Sequence, residues 1–366
     1  LPMCVDWFRP RGYKHLDRPV GKEFALKAMK SDFVEKHSFS LMIHYVKEVR
    51  RYKKDLHKTK KKSRDIMYAS HRDACILSYY SYQLNALLNK YYEANGLGDS
   101  VIAYRSLGKG SYEFSAEAYK YAISHSPCVV LAFDVSGFFD NLDHSLLKRR
   151  LKRILNTDSL SDGWYEVFKF VTKFHYVELE DLKKEPAFSD VFLQKGPVPI
   201  ATVAAIKAAG IKIHGNEKGS VGIPQGTPIS AAFSNLYMVD FDISANQFCR
   251  DRSALYRRYS DDILVICAPE YAEEIEAKIA DLVASEKLEL SVSKTERTPF
   301  PFPESAPLGA RSPQYLGFTY YPGGAGIRPE SLSRQWRKMR RSIRRTRKTA
   351  EAAIAAGHST KVFTKK

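Results

Sequence analysis

Two strand-length apolar runs carry aspartate at the same kind of position, and this pairing constrains the fold more than any other feature of the chain. Cys128-Val129-Val130-Leu131-Ala132-Phe133 is β-branched and unbroken, and it delivers Asp134 at its C-terminal end. Ile263-Leu264-Val265-Ile266-Cys267 follows directly on Tyr259-Ser260-Asp261-Asp262, so a strand, an acidic turn and a strand are expected to form a hairpin. A carboxylate at the end of a buried strand is desolvated and repelled by its neighbours unless a cation is present. Taken alone, either aspartate motif reads as turn hydrogen bonding. Both together, with their apolar flanks, point to hard divalent cations. Magnesium prefers oxygen ligands, and a pair of such ions about 4 Å apart stabilises both oxygens of a phosphoryl transfer.

Around these runs the pattern alternates between helix and strand. Apolar residues from Ile76 to Tyr91 recur at steps of three and four, predicting an amphipathic helix over about 73–93 that ends before Asn95-Gly96. Helices are also expected over 146–154 and 270–286, and Leu288 to Val292 alternates as a half-buried strand should. The order implies an α+β domain with helices on one face of the sheet. Gly222-Ile223-Pro224-Gln225-Gly226-Thr227-Pro228-Ile229-Ser230 imposes a tight loop before a helix over 231–242. Small residues there let backbone approach a base pair, and Gln225 offers both a donor and an acceptor.

Charge narrows the partner. Lys and Arg outnumber Asp and Glu by 58 to 41, a net +17, which calls for a polyanion. The stretch from Lys47 to Arg64 reads as a basic, solvated helix and loop. Between Arg334 and Lys348 nine of fifteen residues are basic and none is acidic, while Leu332, Trp336, Met339 and Ile343 share one helical face. No apolar run reaches the roughly 18 residues that span a bilayer. The expectation is a soluble, cytoplasmic protein without a membrane partner. Five cysteines at irregular spacing suggest neither a disulfide framework nor a zinc site.

Asp134 with its strand, the loop Gly222 to Ser230 and the Tyr259-Ser260-Asp261-Asp262 box, in this order, resemble the palm of reverse transcriptases. Ser293-Lys294-Thr295 is similar to the lysine segment that follows the box, and Gln314-Tyr315-Leu316-Gly317-Phe318 is similar to the primer-grip hairpin. The resemblance covers about residues 60–350. It implies a right hand of fingers, palm and thumb with an antiparallel palm sheet. The fingers and an N-terminal extension would occupy 1–125, the palm 126–322 with a fingers-like insertion at about 155–220, and the thumb 323–366.

The same resemblance assigns roles. Asp134, Asp261 and Asp262, with the backbone of Val135, would hold two Mg²⁺ ions, for which Mn²⁺ could substitute. Lys294 would protonate the pyrophosphate leaving group. Gln225 and Gly226 would position the nucleotide, and Arg64 and Arg105 would hold its triphosphate by planar donor arrays. Phe139, five residues after the first aspartate, would lie under the sugar and clash with a 2′-hydroxyl, selecting deoxynucleotides. Tyr259, Tyr315, Leu316 and Gly317, with Arg334, Arg337 and Arg341 of the thumb helix, would bind primer and template. Implied partners are an RNA template, a DNA product and dNTPs. The Ile223–Gly226 loop running into Ser234-Asn235-Leu236-Tyr237-Met238, and the Arg11–Asp17 segment, look like the stand-alone bacterial reverse transcriptases of antiphage defence, including the class-2 type that copies a structured non-coding RNA. A retron or group II intron type shares the palm motifs. The two rivals of other classes are an RNA-directed RNA polymerase, disfavoured by Phe139, and an inert RNA-binding protein, disfavoured by the intact aspartates.

Overall fold

The computed structural model describes residues 5–53, 58–302 and 312–357. Its centre is a four-stranded antiparallel sheet in the order Glu296–Phe300, Cys128–Asp134, Asp262–Cys267, Leu255–Tyr259. The two apolar runs are therefore adjacent inner strands. Alternate side chains point to opposite faces of a strand, and here both faces are buried. Val129, Leu131, Phe133, Ile263 and Val265 join the main core with helices His71–Ala94, His144–Ile154 and Ala272–Ser285. Val130, Leu264, Ile266 and Phe300 instead meet Phe114, Ala118 and Ala122 of helix Ser111–Ser124. Burial on both faces explains why the runs are uninterrupted. It also corrects the expectation of helices on one face.

Three further expectations are revised. The alternating segment Leu288–Val292 forms a single bridge, Val135 with Leu290, and then a short 3-10 turn over Val292–Lys294. Ser136 N donates to Glu289 O and Ser291 N to Asp134 O, which carries the segment around the end of the strand bearing Asp134. The edge strand lies at Glu296–Phe300, where Pro299 is tolerated because an edge strand has one ladder unpaired. Residues 231–242 belong to two helices, Ser230–Tyr237 and Val239–Arg250, that meet at Met238. The basic stretch 47–64 is not helical: Val49–Lys53 pairs with Lys58–Lys62 as an antiparallel ribbon.

A second sheet runs Asp65–Tyr68, Met42–Val46, His175–Glu178, His214–Gly215, with Met42–Val46 and His175–Glu178 parallel. Helix His71–Ala94 follows directly. Its first amides are capped by Asp17, which accepts from His71 N and Arg72 N at 2.9 Å each and from His71 Nδ1 at 2.8 Å. The Arg11–Asp17 segment thus serves as a clasp on the helix N-terminus, where a carboxylate meets unsatisfied N–H groups.

Beyond the central sheet, a three-stranded sheet of Gln314–Tyr315, Phe318–Tyr321 and Gly324–Ile327 leads into helix Pro329–Ala355. No residue of that helix is buried, and Leu332, Trp336, Met339 and Ile343 are all exposed. Among the described residues no helix is long and apolar enough to cross a membrane. Cys75, Cys128, Cys249 and Cys267 are buried free thiols, and Cys4 lies outside the described residues.

Candidate active site

Pairing between the inner strands sets Asp134 directly opposite Asp262. Tyr259 pairs with Asp262 across the hairpin, so Ser260 and Asp261 form a two-residue turn. Ser260 sits at φ 61°, a left-handed conformation rare for a residue with a side chain and a mark of local strain. The turn is held from several sides. Asp261 O accepts from Val135 N at 3.2 Å, Ser260 Oγ meets Tyr104 Oη at 3.2 Å, and Ser260 O accepts from Arg258 Nη1 at 3.0 Å. Tyr104 is itself left-handed, with φ 61°.

Negative charge is crowded at this edge. Partial burial, together with the neighbouring charges of Asp261 and Asp134, pushes the Asp262 carboxyl up to about 6, against the opposing pull of Lys294 and Arg328. The Lys294 ammonium is ion-paired with Asp134, so a protein cation already stands on this carboxylate. Among the described residues no three His, Cys, Asp or Glu side chains are gathered closely enough to hold a metal ion by themselves. An open oxygen set with excess negative charge fits ions that take the rest of their ligands from phosphates and water.

The loop Gly222–Ser230 is held between the turn Phe138–Asp140 and the second sheet. Ile223 N donates to Phe139 O at 2.8 Å, and Met67 N of the second sheet donates to Gln225 O at 2.8 Å. Gly226 has φ +120°, and a Cβ there would come within 2.7 Å of Met67 O, so only glycine fits. Ser230 Oγ donates to Pro224 O and lies against Thr227 Oγ1, which fixes the loop as it enters helix Ser230–Tyr237. Phe139 is half-buried on the main core, its ring edge-on to Phe138 at 5.5 Å. It therefore lies one hydrogen-bonded step from the loop and in the turn that follows Asp134.

The two arginines expected at the triphosphate are placed differently. Arg105 is half-buried: Nε donates to Asn89 Oδ1 at 2.8 Å, and Nη1 donates to Gly98 O and Val101 O at 2.7 Å each. Its guanidinium lies over the Tyr92 ring at 4.8 Å. These bonds turn Nε and Nη1 into the fold. Arg64 is exposed just before the strand Asp65–Tyr68, with backbone bonds to Lys47. Tyr315 is buried against helix Ser111–Ser124, where Ser115 Oγ donates to its carbonyl. Leu316 and Gly317 form a left-handed turn whose Gly317 carbonyl accepts from Arg328 N at 2.9 Å. Arg334, Arg337 and Arg341 lie exposed on the terminal helix.

Sequence reasoning missed the support beneath the acidic turn. Arg258 and Asp242 form a fully buried ion pair, with Tyr256 Oη donating to Asp242 Oδ1 at 2.6 Å. Nothing in the local pattern distinguishes Asp242 from a surface acid, because its partner lies sixteen residues later on another element.

Comparison with known proteins gives the following. The family described as reverse transcriptase (RNA-dependent DNA polymerase) matches residues 58–320, more than half of the chain. No curated protein matches it. Among solved structures, it is similar to apo telomerase from Candida tropicalis truncated from its C-terminal domain, with 11% identity and TM-score 0.49 over 78% of this chain and 55% of that one. It is likewise similar to telomerase from Candida albicans in complex with a TWJ fragment of telomeric RNA, with 12% identity and TM-score 0.48 over 84% and 49%. The chain spans about half the length of these structures.

Proposed function

The chain belongs to the reverse transcriptase family, and from that premise we propose that it is an RNA-directed DNA polymerase that extends a primer on an RNA template at Asp134, Asp261 and Asp262. The observation that carries this reading is the in-register opposition of Asp134 and Asp262, with Asp261 in the turn between strands and the Asp262 carboxyl pushed up to about 6. Two divalent cations, Mg²⁺ with Mn²⁺ as a substitute, supply Lewis-acid stabilisation of the attacking and leaving oxygens when bound. Asp134, Asp262 and Asp261 would hold them, with the Val135 backbone.

The remaining residues bind and orient. Gln225 and Gly226 present backbone to the nascent base pair, and Phe139 excludes a 2′-hydroxyl beneath the sugar. Lys294, ion-paired with Asp134, would donate the proton that the leaving pyrophosphate takes up. In this reading residues 126–322 are the palm, with a fingers-like insertion at about 155–220. Residues 1–125 form the fingers and an N-terminal extension, and the exposed basic helix from Pro329 belongs to a thumb over 323–366. The finer reading, a bacterial antiphage enzyme that copies a structured non-coding RNA, is supported by the Arg11–Asp17 segment and by the Ile223–Gly226 loop with its helix.

The test is to purify the protein with the nucleic acid it retains, sequence that RNA, and supply Mg²⁺ and labelled dNTPs. DNA synthesis by the wild type, absent in the Asp261→Ala, Asp262→Ala double variant, is the expected result. A single co-purified RNA as template supports the finer reading. RNA binding without synthesis by either protein would replace the polymerase by an inert binder.

A further inference from the structure

The strand Leu255–Tyr259, which ends at the acidic turn, carries two arginines in succession, and they serve opposite faces of the central sheet. Tyr256 and Arg258 face the main core, where Arg258 meets Asp242. Arg257 stands between Leu255 and Tyr259, two residues from each, so the three share the other face. Its cross-strand partner Leu264 lies in the second apolar cluster with Phe114, Ala118, Tyr315 and Tyr320, and Leu255 and Tyr259 pack on that cluster too. A guanidinium is thus buried where the strand pattern calls for an apolar side chain.

Little around Arg257 offsets its charge. Nη2 donates to Glu117 Oε2 at 3.2 Å, while Glu117 Oε1 accepts from Lys109 Nζ at 2.6 Å, so one partly exposed carboxylate is shared by two cations. Arg257 Nε and Nη1 are buried and find no partner among the described residues. The Tyr315 hydroxyl, buried in the same cluster, finds none either. Burial raises the pKa of this phenol, and the charge of Arg257 opposes that rise. Unpaired buried polar groups are costly. Here donors without an acceptor share one cluster with a hydroxyl that can accept.

Tyr315 also leads to a functional turn. Its carbonyl accepts from Ser115 Oγ at 3.3 Å, two residues before Glu117 on the same helix, and the chain then enters the left-handed turn Leu316–Gly317. Gly317 O accepts from Arg328 N at 2.9 Å, where the terminal helix begins. Arg257 lies four residues before Asp261 on the strand that reaches the acidic turn. The two side chains therefore stand between the carboxylates and the hairpin Gln314–Phe318, which the polymerase reading sets against the primer.

We propose that Arg257 is a positioning residue for the primer terminus: its free donors hold the Tyr315 hydroxyl, directly or through one buried water, and so fix the Leu316–Gly317 turn relative to the acidic strand. A water there meets Nε, Nη1 and the hydroxyl, enough polar partners to hold it. The arrangement explains why a costly buried cation stands where leucine or valine would pack. Its service to the primer rests on the polymerase reading; the pairing itself rests on the shared face and the unpaired atoms.

The test compares Arg257→Leu and Tyr315→Phe with the wild type, singly and together, on a defined primer–template. Leucine removes the buried charge and suits the cluster, so the unfolding midpoint should stay at or above that of the wild type. KM for the primer–template should nevertheless rise about tenfold in Arg257→Leu, with kcat within about twofold and KM for dNTP unchanged. Tyr315→Phe, which takes away only the hydroxyl, should reproduce that split. The double variant should be no worse than the poorer single variant, because both remove one link. An unchanged KM for the primer–template in Arg257→Leu overturns the inference. So does a loss that falls equally on kcat and the unfolding midpoint, which would leave Arg257 a residue of the fold alone. Defects that multiply in the double variant overturn the pairing, since the two side chains would then act independently. Equilibrium binding of the same primer–template without dNTPs, expected to weaken about tenfold in either single variant, reads the pairing without catalysis. Failure of the wild type to synthesise DNA would sink the polymerase reading while leaving that binding comparison intact.

Discussion

Arg258 grips Asp242 with two parallel bonds, Nε to Oδ1 and Nη2 to Oδ2, each 2.6 Å, and both side chains are wholly out of solvent. The third arm of the same guanidinium reaches Ser260 O at 3.0 Å, one residue before Asp261. Burial opposes its charge, but Asp242 more than compensates and raises the Arg258 pKa above the ordinary value. Asp242→Asn strands a buried cation and should cost about 3–5 kcal/mol of stability by thermal or urea unfolding. Arg258→Lys keeps a charge but cannot fork to Asp242 and Ser260 together. Its kcat for dNTP addition should fall about tenfold with KM little changed, and a wild-type kcat would show that the turn needs no such support.

The proposed discrimination between sugars rests on Phe139. Phe139→Ala should raise ribonucleotide incorporation relative to deoxynucleotide incorporation at least about tenfold, because the ring supplies a steric clash rather than a bond. Single-nucleotide extension with rNTP and dNTP in turn measures the ratio. An unchanged ratio would remove Phe139 from the sugar pocket.

Gly226 is the tightest point of the loop. Gly226→Ala sets a methyl 2.7 Å from Met67 O at φ +120°, so the loop must move away from the second sheet. The variant should lose about 1–3 kcal/mol of stability and most of its nucleotide incorporation. Gly12→Ala, where nothing lies within 4 Å, is the matched control. Equal behaviour of the two variants would show that contact with Met67 is dispensable.

His15 predicts an acid-sensitive clasp. It is fully buried; Nδ1 accepts from Leu16 N at 2.8 Å, which leaves the proton on Nε2 to reach Tyr68 O at 3.1 Å. Desolvation lowers its pKa from 6.5 to about 4. Between those values the unfolded chain binds a proton that the folded chain refuses. Stability is therefore full above pH 6.5 and falls as pH drops toward 4, by up to about 3 kcal/mol. Unfolding midpoints from pH 7 to 4 should show that slope, and His15→Gln should flatten it.

The acidic edge was legible in the sequence because each aspartate adjoins an apolar run too continuous for a half-exposed strand. The helix over 73–93 and the hairpin at Tyr259–Asp262 were legible for the same reason: each is specified by local periodicity. What escaped was set by distant partners. The edge strand Glu296–Phe300 is masked by Pro299 and Pro301, whose placement only its neighbour explains. The bonds of Arg105 to Asn89 and two carbonyls carry no mark in the local pattern either. A run of lysines carries no mark of pairing, so the ribbon at 49–62 became visible only through its register.

That Asp134 and Asp262 sit on neighbouring strands in register gives the centre a built-in ruler. Cα atoms of directly opposed residues in an antiparallel pair stand about 4.5–5.5 Å apart, whichever side chains they bear. The gauge between the two carboxylates is thus written in peptide groups. Repacking Leu131, Val265 or the helices behind them can soften the protein without resetting that gauge, whereas a one-residue slip between the two strands would abolish it at once.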